Sequence, residues 1–553
     1  MSTYEYGEEK SPLAKVSPSS RYQWRMRTIF EQAAAARYME LILPGWTFSD
    51  FPPEVRKLPA ELGMLTALKT LELSNHWLCE LPPEIGALVS LTSLDLTGNK
   101  LGELPPEIGA LASLKVLHLE DNQLLSLPPE IGGLAALKIL HLGENQFRVL
   151  PSEIGKLTSL EELHLSGPSP LRALPPEIGN LTSLVELTLS YNLELESLPC
   201  EIGKLNALKN MDIFRCNLLT PLPPEIGNLA SLERLSIVLS NLGALPPELG
   251  RLASLKSLHL ENCQLSALPP EIGDLAALEE LILEDNGLCE IPPEVGNLAS
   301  LKVLSLSTNL FSELPPEIGR LRTLKKLYID RDRVSSFSPK NGDSVSLKAM
   351  SSGRDRLSAL PPEIGMLTSL KLLSMNGNRL RALPSEIGNL RTLEILSLNS
   401  NRLSALPPDI GMLSALKELH LSGNELSELP PEIGKLTSLK LLDVSFQRLP
   451  SLAPEIGKLS MLEELCLCSN DLTVLPLEIG NLTSLQSLDL RSNLLSALPP
   501  EIKKLKTLSI LKLSDNPGLY KVIPDAIIKT DNAERILDYY FNRNERLLFL
   551  PIC

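Results

Sequence analysis

Five of the six histidines share one position in the chain: His118, His141, His164, His259 and His420 each stand between two leucines. In a short extended Leu-His-Leu segment the leucines point one way and the imidazole the other. His118, His141 and His164 are 23 residues apart, so stacking equal units would set three imidazoles in a row, with Glu120, Asp121 and Glu144 beside them. Imidazole and carboxylate are the ligands a zinc-like ion takes. Leu-His-Leu nevertheless recurs at 259 and 420, and nothing marks groups that would orient ligands or close a site. The sequence therefore assigns no metal ligand and no cofactor. Cys466 and Cys468 flank Leu467 on one face, an arrangement read either as a redox pair or as a chance pair of small residues. No nucleophile or enclosed pocket accompanies the histidines, and every Gly-Lys, such as Gly155-Lys156, is followed by Leu, so no phosphate-cradling Gly-x-x-x-x-Gly-Lys-Ser/Thr loop exists. The chain is read as non-enzymatic.

The elements behind these residues are repeats. Aligned on Leu-x-x-Leu-x-Leu-x-x-Asn-x-Leu, units begin at Leu68, Leu91, Leu114, Leu137 and Leu160 and continue to Leu508, twenty in all. The period is 23 residues except for three steps of 24 between Leu160 and Leu232. Each Leu-x-Leu reads as a short strand. The Asn, as in Asn99, Asn122 and Asn145, falls where the chain turns, and its amide can bond neighbouring backbone. Leu-Pro-Pro-Glu then opens a short helical turn, since proline is tolerated in a first turn and Glu favours its positive end. The following Gly is expected to end that turn. One unit cannot bury its own leucines, but stacked units share a continuous core. The expected fold is an α/β repeat solenoid, a horseshoe with a concave parallel sheet and short helical turns on the convex side.

The ends should differ from the middle, as terminal repeats must be capped. Residues 1–19 read as a flexible tail and 20–57 as a capping helix plus a divergent repeat. That helix spans Ser20 to Arg37 with Trp24 and Phe30, and Leu41, Leu43, Trp46, Phe48 and Phe51 belong to the divergent repeat. Repeats fill 58–515. Residues 516–553 form a C-terminal cap whose helix, Pro524 to Phe541, carries Ala533, Ile536, Leu537 and Tyr540 on one face. From Val334 to Leu357 the pattern weakens. Leu314 to Leu360 is still two periods, and Phe337, Leu347, Met350, Asp355 and Leu357 fall on expected positions, so a degenerate repeat in register is expected. Ser344 and Ser352 replace two of its core leucines, which would make it the softest joint.

Two surface features are candidate partner-binding sites. In repeats six to eight the positions after the strand hold Tyr191, Phe214, Val238 and Leu239, with Arg215 adjacent. These repeats carry the extra residues and lose the turn Asn at Cys216 and Ser240, and Pro168 interrupts it one repeat earlier. Exposed aromatic and aliphatic groups beside Arg make a binding hot spot; altered turns that tuck those side chains inward would remove it. Arg333, Arg356, Arg379 and Arg402 recur at 23-residue spacing, pause at Glu425 and resume at Arg448. They would form a basic edge that guides an anionic partner surface, or simply a solvated face.

The net charge of −15 does not mark an acidic binding site. Of twenty equivalent Leu-Pro-Pro-Glu positions nineteen are acidic, and setting those aside leaves 48 acids against 52 bases. The acidity lies on one recurring outer position, and no clustered basic footprint for nucleic acid is present. The start, Met1 to Arg27, offers no signal peptide, and no apolar run approaches a membrane span. The eight cysteines are scattered rather than clustered at the ends, which reads as a reducing, cytoplasmic setting.

The repeats match the leucine-rich repeat consensus. Over residues 38–541 they resemble the Ras-group repeats of plant intracellular and Shoc-type scaffolds and of Roco proteins, through Leu-Pro-Pro-Glu-Ile-Gly-x-Leu-x-Ser-Leu. The ending Asn516-Pro517, Ile523-Pro524 and Ala533-Glu-Arg-Ile536-Leu537-Asp-Tyr539 looks like the segment preceding a Roc GTPase domain. The resemblance implies an intracellular scaffold or adaptor that binds a protein partner on its concave face, with a small GTPase or its regulator as the implied partner class. A substrate-recruiting subunit for a separately encoded enzyme is the alternative.

Overall fold

A computed structural model describes residues 18–43, 57–331 and 357–548. They fall into two compact units that divide after Leu255.

The first unit begins with α1 (Pro18–Ala35). Met26, Phe30 and Ala33 are buried, whereas Trp24 is 54% exposed, so only Phe30 of the two expected anchors enters the core. Arg27 ties the helix to the next turn through Glu61, at 3.0 Å. Nine parallel strands follow among the described residues. They are β1 (Glu40–Ile42), β2 (Thr70–Glu72), β3 (Ser93–Asp95), β4 (Val116–His118), β5 (Ile139–His141), β6 (Glu162–His164), β7 (Glu186–Thr188), β8 (Asn210–Phe214) and β9 (Arg234–Val238). Each pairs with the next in register, Leu117 opposite Leu140 and Leu140 opposite Leu163. Alternation sends these leucines into the core, where Leu94, Leu117 and Leu140 have no exposed surface. Each contributes about 1.5–3 kcal/mol, realised only because a neighbouring repeat covers it. Leu41 and Leu43 of the divergent repeat are buried; Trp46, Phe48 and Phe51 lie outside the described residues.

Behind each strand lies a five-residue 3-10 turn, such as Pro106–Ala110. Pro105 holds the extended conformation that precedes it (φ −68°, ψ 145°), Pro106 opens it, and Ile108 points into the core. The glycine of the motif does not terminate the turn. It lies inside the turn without a left-handed φ, and it is required by close approach: a Cβ on Gly227 would stand 2.2 Å from the Glu248 carbonyl oxygen of the next repeat. The last such turn, Pro500–Lys504, carries Lys503 at the glycine position. No further Leu-Pro-Pro-Glu turn follows to be crowded, and the Lys503 ammonium instead lies over the Phe541 ring, 4.3 Å from its centroid.

The turn Asn clamps adjacent repeats. Asn99, fully buried, donates from Nδ2 to the carbonyls of Leu73 (2.9 Å) and Leu96 (2.8 Å) and accepts at Oδ1 from the amides of His76 and Leu78. Asn122 and Asn145 repeat the pattern one and two units along. Left unbonded, such buried backbone groups would each cost about 1–3 kcal/mol.

The second unit holds eleven parallel strands among the described residues, from β10 (Ser257–His259) to β20 (Ile510–Lys512). One pairing overturns the expectation of a degenerate repeat at 334–357. β13 (Lys326–Tyr328) pairs directly with β14 (Leu372–Ser374), Leu327 opposite Leu373. The turns behind them also stack directly, since a Cβ on Gly319 would meet the Glu363 carbonyl at 2.6 Å. Leu357 completes the repeat that β13 begins: its amide bonds Asn378 Oδ1 and its carbonyl accepts from the Arg379 amide, as Leu101 does with Asn122 and Gln123. Among the described residues no strand stands between β13 and β14. The 23 residues from 334 to 356 are an insertion equal in length to one period, so spacing alone could not distinguish it from a repeat. Ser344, Ser352, Phe337, Leu347, Met350 and Asp355 lie outside the described residues. Side chains also bond across the junction: the Asp330 carboxylate accepts from Ser374 Oγ and from the Asn376 amide, each at 2.7 Å.

The C-terminal helix is two helices. α2 (Asp525–Ile528) ends at a turn where Asp531 has φ +52°, and α3 (Ala533–Leu548) starts with Asn532 Oδ1 accepting the Arg535 amide at 2.8 Å. Ala533, Ile536 and Tyr540 are buried as expected, and Tyr540 Oη accepts the Leu498 amide.

Candidate functional site

The three 24-residue steps change the strand edge of the first unit. β8 and β9 are five residues long where the others have three, and their pairing extends to Phe214 opposite Val238. After most strands one residue adopts a left-handed backbone. Elsewhere this position is usually Gly, Asp, Asn or Ser, as at Gly98, Asp121 and Asp285, types that tolerate it, with Glu144, Thr308 and Phe446 as isolated bulkier cases. Here it carries Tyr191 (φ +62°), Arg215 (φ +55°) and Leu239 (φ +55°). Bulky residues in that region cost roughly 1–2 kcal/mol each, so these three consecutive choices work against the stability of the fold.

Tyr191 is 39% exposed. Its ring meets that of half-buried Phe214 edge to face, with centroids 5.1 Å apart. The Arg215 guanidinium lies over both rings, 5.8 Å from the first and 5.7 Å from the second. Val238, the register partner of Phe214, stands on the same strand face but is covered, only 9% exposed, and its carbonyl accepts from the Arg215 amide and the Ser240 hydroxyl. Leu239 is half-buried. One expected member is thus covered, and the aromatic pair and Arg lie together at the surface. Leu193 and Leu218, two residues beyond Tyr191 and three beyond Arg215 in the chain, are 46% and 51% exposed. Sequence reading missed them because it followed only the positions directly after the strand. Asp212 and Arg234 flank the patch with an ion pair at 3.7 Å.

The lost turn residues are replaced in kind. Cys216 is buried and its thiol donates to the Leu189 carbonyl at 3.1 Å, standing in for Asn. Burial pushes that thiol up to about 12, so it stays protonated and bonded. Ser240 Oγ accepts the Cys216 amide, and Ser169, just after exposed Pro168, donates to the Phe147 carbonyl.

The basic edge is shorter than its spacing suggested. Arg333 and Arg356 lie outside the described residues. Arg379 is half-buried and Arg402 exposed, at equivalent places on adjacent repeats, with Glu425 and Arg448 exposed beyond them. The Cys466 thiol is held up to about 12 by burial and then by Asp443 and Asp489, and Cys468 is raised also. A reactive thiol needs the opposite shift.

The histidine row is real. His118 and His141 face each other on β4 and β5, ring centroids 4.4 Å apart, and His164 follows at 4.2 Å. Glu120 reaches between the first two. Burial opposes its charge, but the hydrogen bonds to His118 and His141 outweigh it and hold the carboxyl well below the ordinary carboxylate range. The Glu120 contact raises His118, whereas burial and then His141 lower His164.

A family model described as "Leucine-rich repeat region" matches residues 52–125, 84–170, 108–218 and 387–473, and one described as "Leucine Rich Repeat" matches 254–275 and 484–505. Among solved structures, a leucine-rich repeat protein of Leptospira interrogans is 34% identical, with 81% of this chain and 95% of that one covered and a TM-score of 0.56. A plant peptide hormone receptor, RGFR1 in complex with RGF2, is 32% identical over 82% of this chain and 79% of its own, with a TM-score of 0.53. The structure described as a TDR receptor is 25% identical, with 91% and 90% covered and a TM-score of 0.58. No curated protein matches the chain. No described helix is long and apolar enough to cross a membrane.

Proposed function

Because the chain belongs to the leucine-rich repeat proteins, whose members generally serve as protein-interaction scaffolds, we propose that it binds a protein or peptide on the strand face of its first unit, around Tyr191, Phe214 and Arg215. One observation carries the reading. Three successive repeats place bulky residues in a left-handed backbone, and two of them build an exposed aromatic–guanidinium cluster. Strain of that kind, held by the surrounding fold, is characteristic of functional positions. Aromatic rings and Arg are also the side chains from which binding hot spots are made. Leu193 and Leu218 supply apolar area, and the Asp212–Arg234 pair supplies a polar rim. Val238, paired with Phe214, and half-buried Leu239 adjoin the patch. Arg379 and Arg402 lie in the second unit and would act on association rate rather than as anchors.

The solved RGFR1 structure contains a peptide hormone, which supports an extended peptide as one form of ligand. The Leu-Pro-Pro-Glu-Ile-Gly resemblance makes a small GTPase or its regulator the first partner class to try. A reducing compartment agrees with the seven described cysteines, all free thiols. The test compares native-lysate captures by the wild-type chain and by the Tyr191→Ala/Phe214→Ala variant. A specific partner should fall about tenfold or more with the fold unchanged by circular dichroism. Equal recovery would move the site elsewhere.

A further inference from the structure

We propose that His118, Glu120 and His141 form a binding site for a divalent transition-metal ion, with zinc the best fit, on the strand face of the first unit. This is independent of the protein-binding surface at Tyr191.

The donors already converge. His118 Nδ1 lies 3.0 Å from His141 Nδ1, and of the Glu120 oxygens Oε1 lies 2.5 Å from His141 Nδ1 and Oε2 lies 3.6 Å from His118 Nδ1. Zinc–nitrogen bonds of about 2.0–2.1 Å in tetrahedral geometry put ligand atoms roughly 3.3–3.4 Å apart. These contacts lie on either side of that value, and small side-chain rotations that bring one Glu120 oxygen toward both imidazoles would complete a three-donor set. Two such imidazole nitrogens facing each other need a proton between them, and a metal ion is the other species that can occupy that place. Binding at an Nδ1 that carries a proton moves that proton to Nε2 in a neutral imidazole, or releases it to solvent from an imidazolium.

The positions are fixed by the fold. His118 and His141 are register partners on adjacent strands, so their backbones cannot drift apart. Thr97 donates its hydroxyl to Glu120 Oε2 at 3.2 Å, orienting the carboxylate as outer groups do around metal ligands. The three side chains are 30%, 29% and 22% exposed, which admits an ion and leaves a fourth coordination position for water or a partner's donor. Two nitrogens and one oxygen suit zinc and its neighbours in the transition series, whereas magnesium and calcium prefer oxygen throughout. His164 belongs with His141 and Glu162 to a second, wider trio, in which its Nε2 lies 3.8 Å from Glu162 while its Nδ1 is engaged by Thr188 Oγ1 at 3.0 Å, and the ion is assigned to the tighter first set.

The experiment titrates the full chain, free of any affinity tag, with Co2+ and follows the visible bands of tetrahedral cobalt, then displaces it with Zn2+. One equivalent should bind. His118→Ala, His141→Ala and Glu120→Gln should each weaken binding tenfold or more, while His164→Ala and His420→Ala leave it unchanged. Circular dichroism should show every variant folded, since the side chains lie outside the leucine core. Absence of the bands, binding indifferent to His118→Ala, or binding lost in His164→Ala but kept in His118→Ala would each overturn the assignment.

Discussion

Tyr191 and Phe214, 23 residues apart on neighbouring repeats, meet edge to face with ring centroids 5.1 Å apart, and the Tyr191 backbone is left-handed at φ +62°. A favourable ring contact and an unfavourable backbone therefore belong to the same residue. Relieving the backbone gains roughly 1–2 kcal/mol, and losing the ring pair costs about 0.5–1.5 kcal/mol. Tyr191→Gly should leave thermal stability nearly unchanged while removing partner binding. A drop of ten degrees or more in Tm would make Tyr191 a packing residue.

Deleting residues 334–356 removes one period and joins Arg333 to Leu357, which restores an ordinary 23-residue repeat. Because β13 already pairs with β14, the shortened chain should melt within a few degrees of the full one. Loss of cooperativity in a thermal scan would mean that the segment contributes a repeat after all.

Gly227→Ala should destabilise by about 1–3 kcal/mol, since the added methyl would stand 2.2 Å from the Glu248 carbonyl and the stacked turns must separate. Lys503→Gly, at the equivalent place in the last turn, should cost less than about 1 kcal/mol. Chemical denaturation of the two variants, compared with wild type, measures the difference.

Asn99→Ala removes a buried amide that serves four backbone groups. At about 1–3 kcal/mol for each group left unbonded, the expected loss is about 3 kcal/mol or more. Hydrogen exchange should report it first at the His76 and Leu78 amides. Unchanged protection there would show that water replaces the clamp.

Glu284 is buried, and burial raises its carboxyl above the usual range despite the hydrogen bond from Ser305, at 2.5 Å. A raised folded value means that stability is fully present below the unfolded pKa of about 4.3. It is lost as pH rises through the folded value. Glu284→Gln should therefore stabilise the protein at neutral pH, and the gain should vanish near pH 4. A gain independent of pH would assign the effect to packing instead.

The sequence alone determined the repeat, its strand and turn, the buried leucines and the Asn clamp, because each follows from a spacing that recurs many times. His118, His141 and His164 were placed in a row by the same arithmetic, and so were Tyr191 and Phe214. What repetition could not decide was anything that depends on which atoms meet across two repeats. The glycine of Leu-Pro-Pro-Glu-Ile-Gly reads as a helix end in one unit, and only stacking reveals the Glu248 carbonyl against Gly227. Val238 and Tyr191 look alike as apolar residues after a strand, yet one is a covered strand residue paired with Phe214 and the other stands more exposed at a left-handed bend. Residues 334–356 match a repeat in length, and only the pairing of Leu327 with Leu373 identifies them as an insertion. Period fixes where a residue lies along its own repeat, whereas hydrogen bonding and contact with the next repeat fix which side it faces and what it touches.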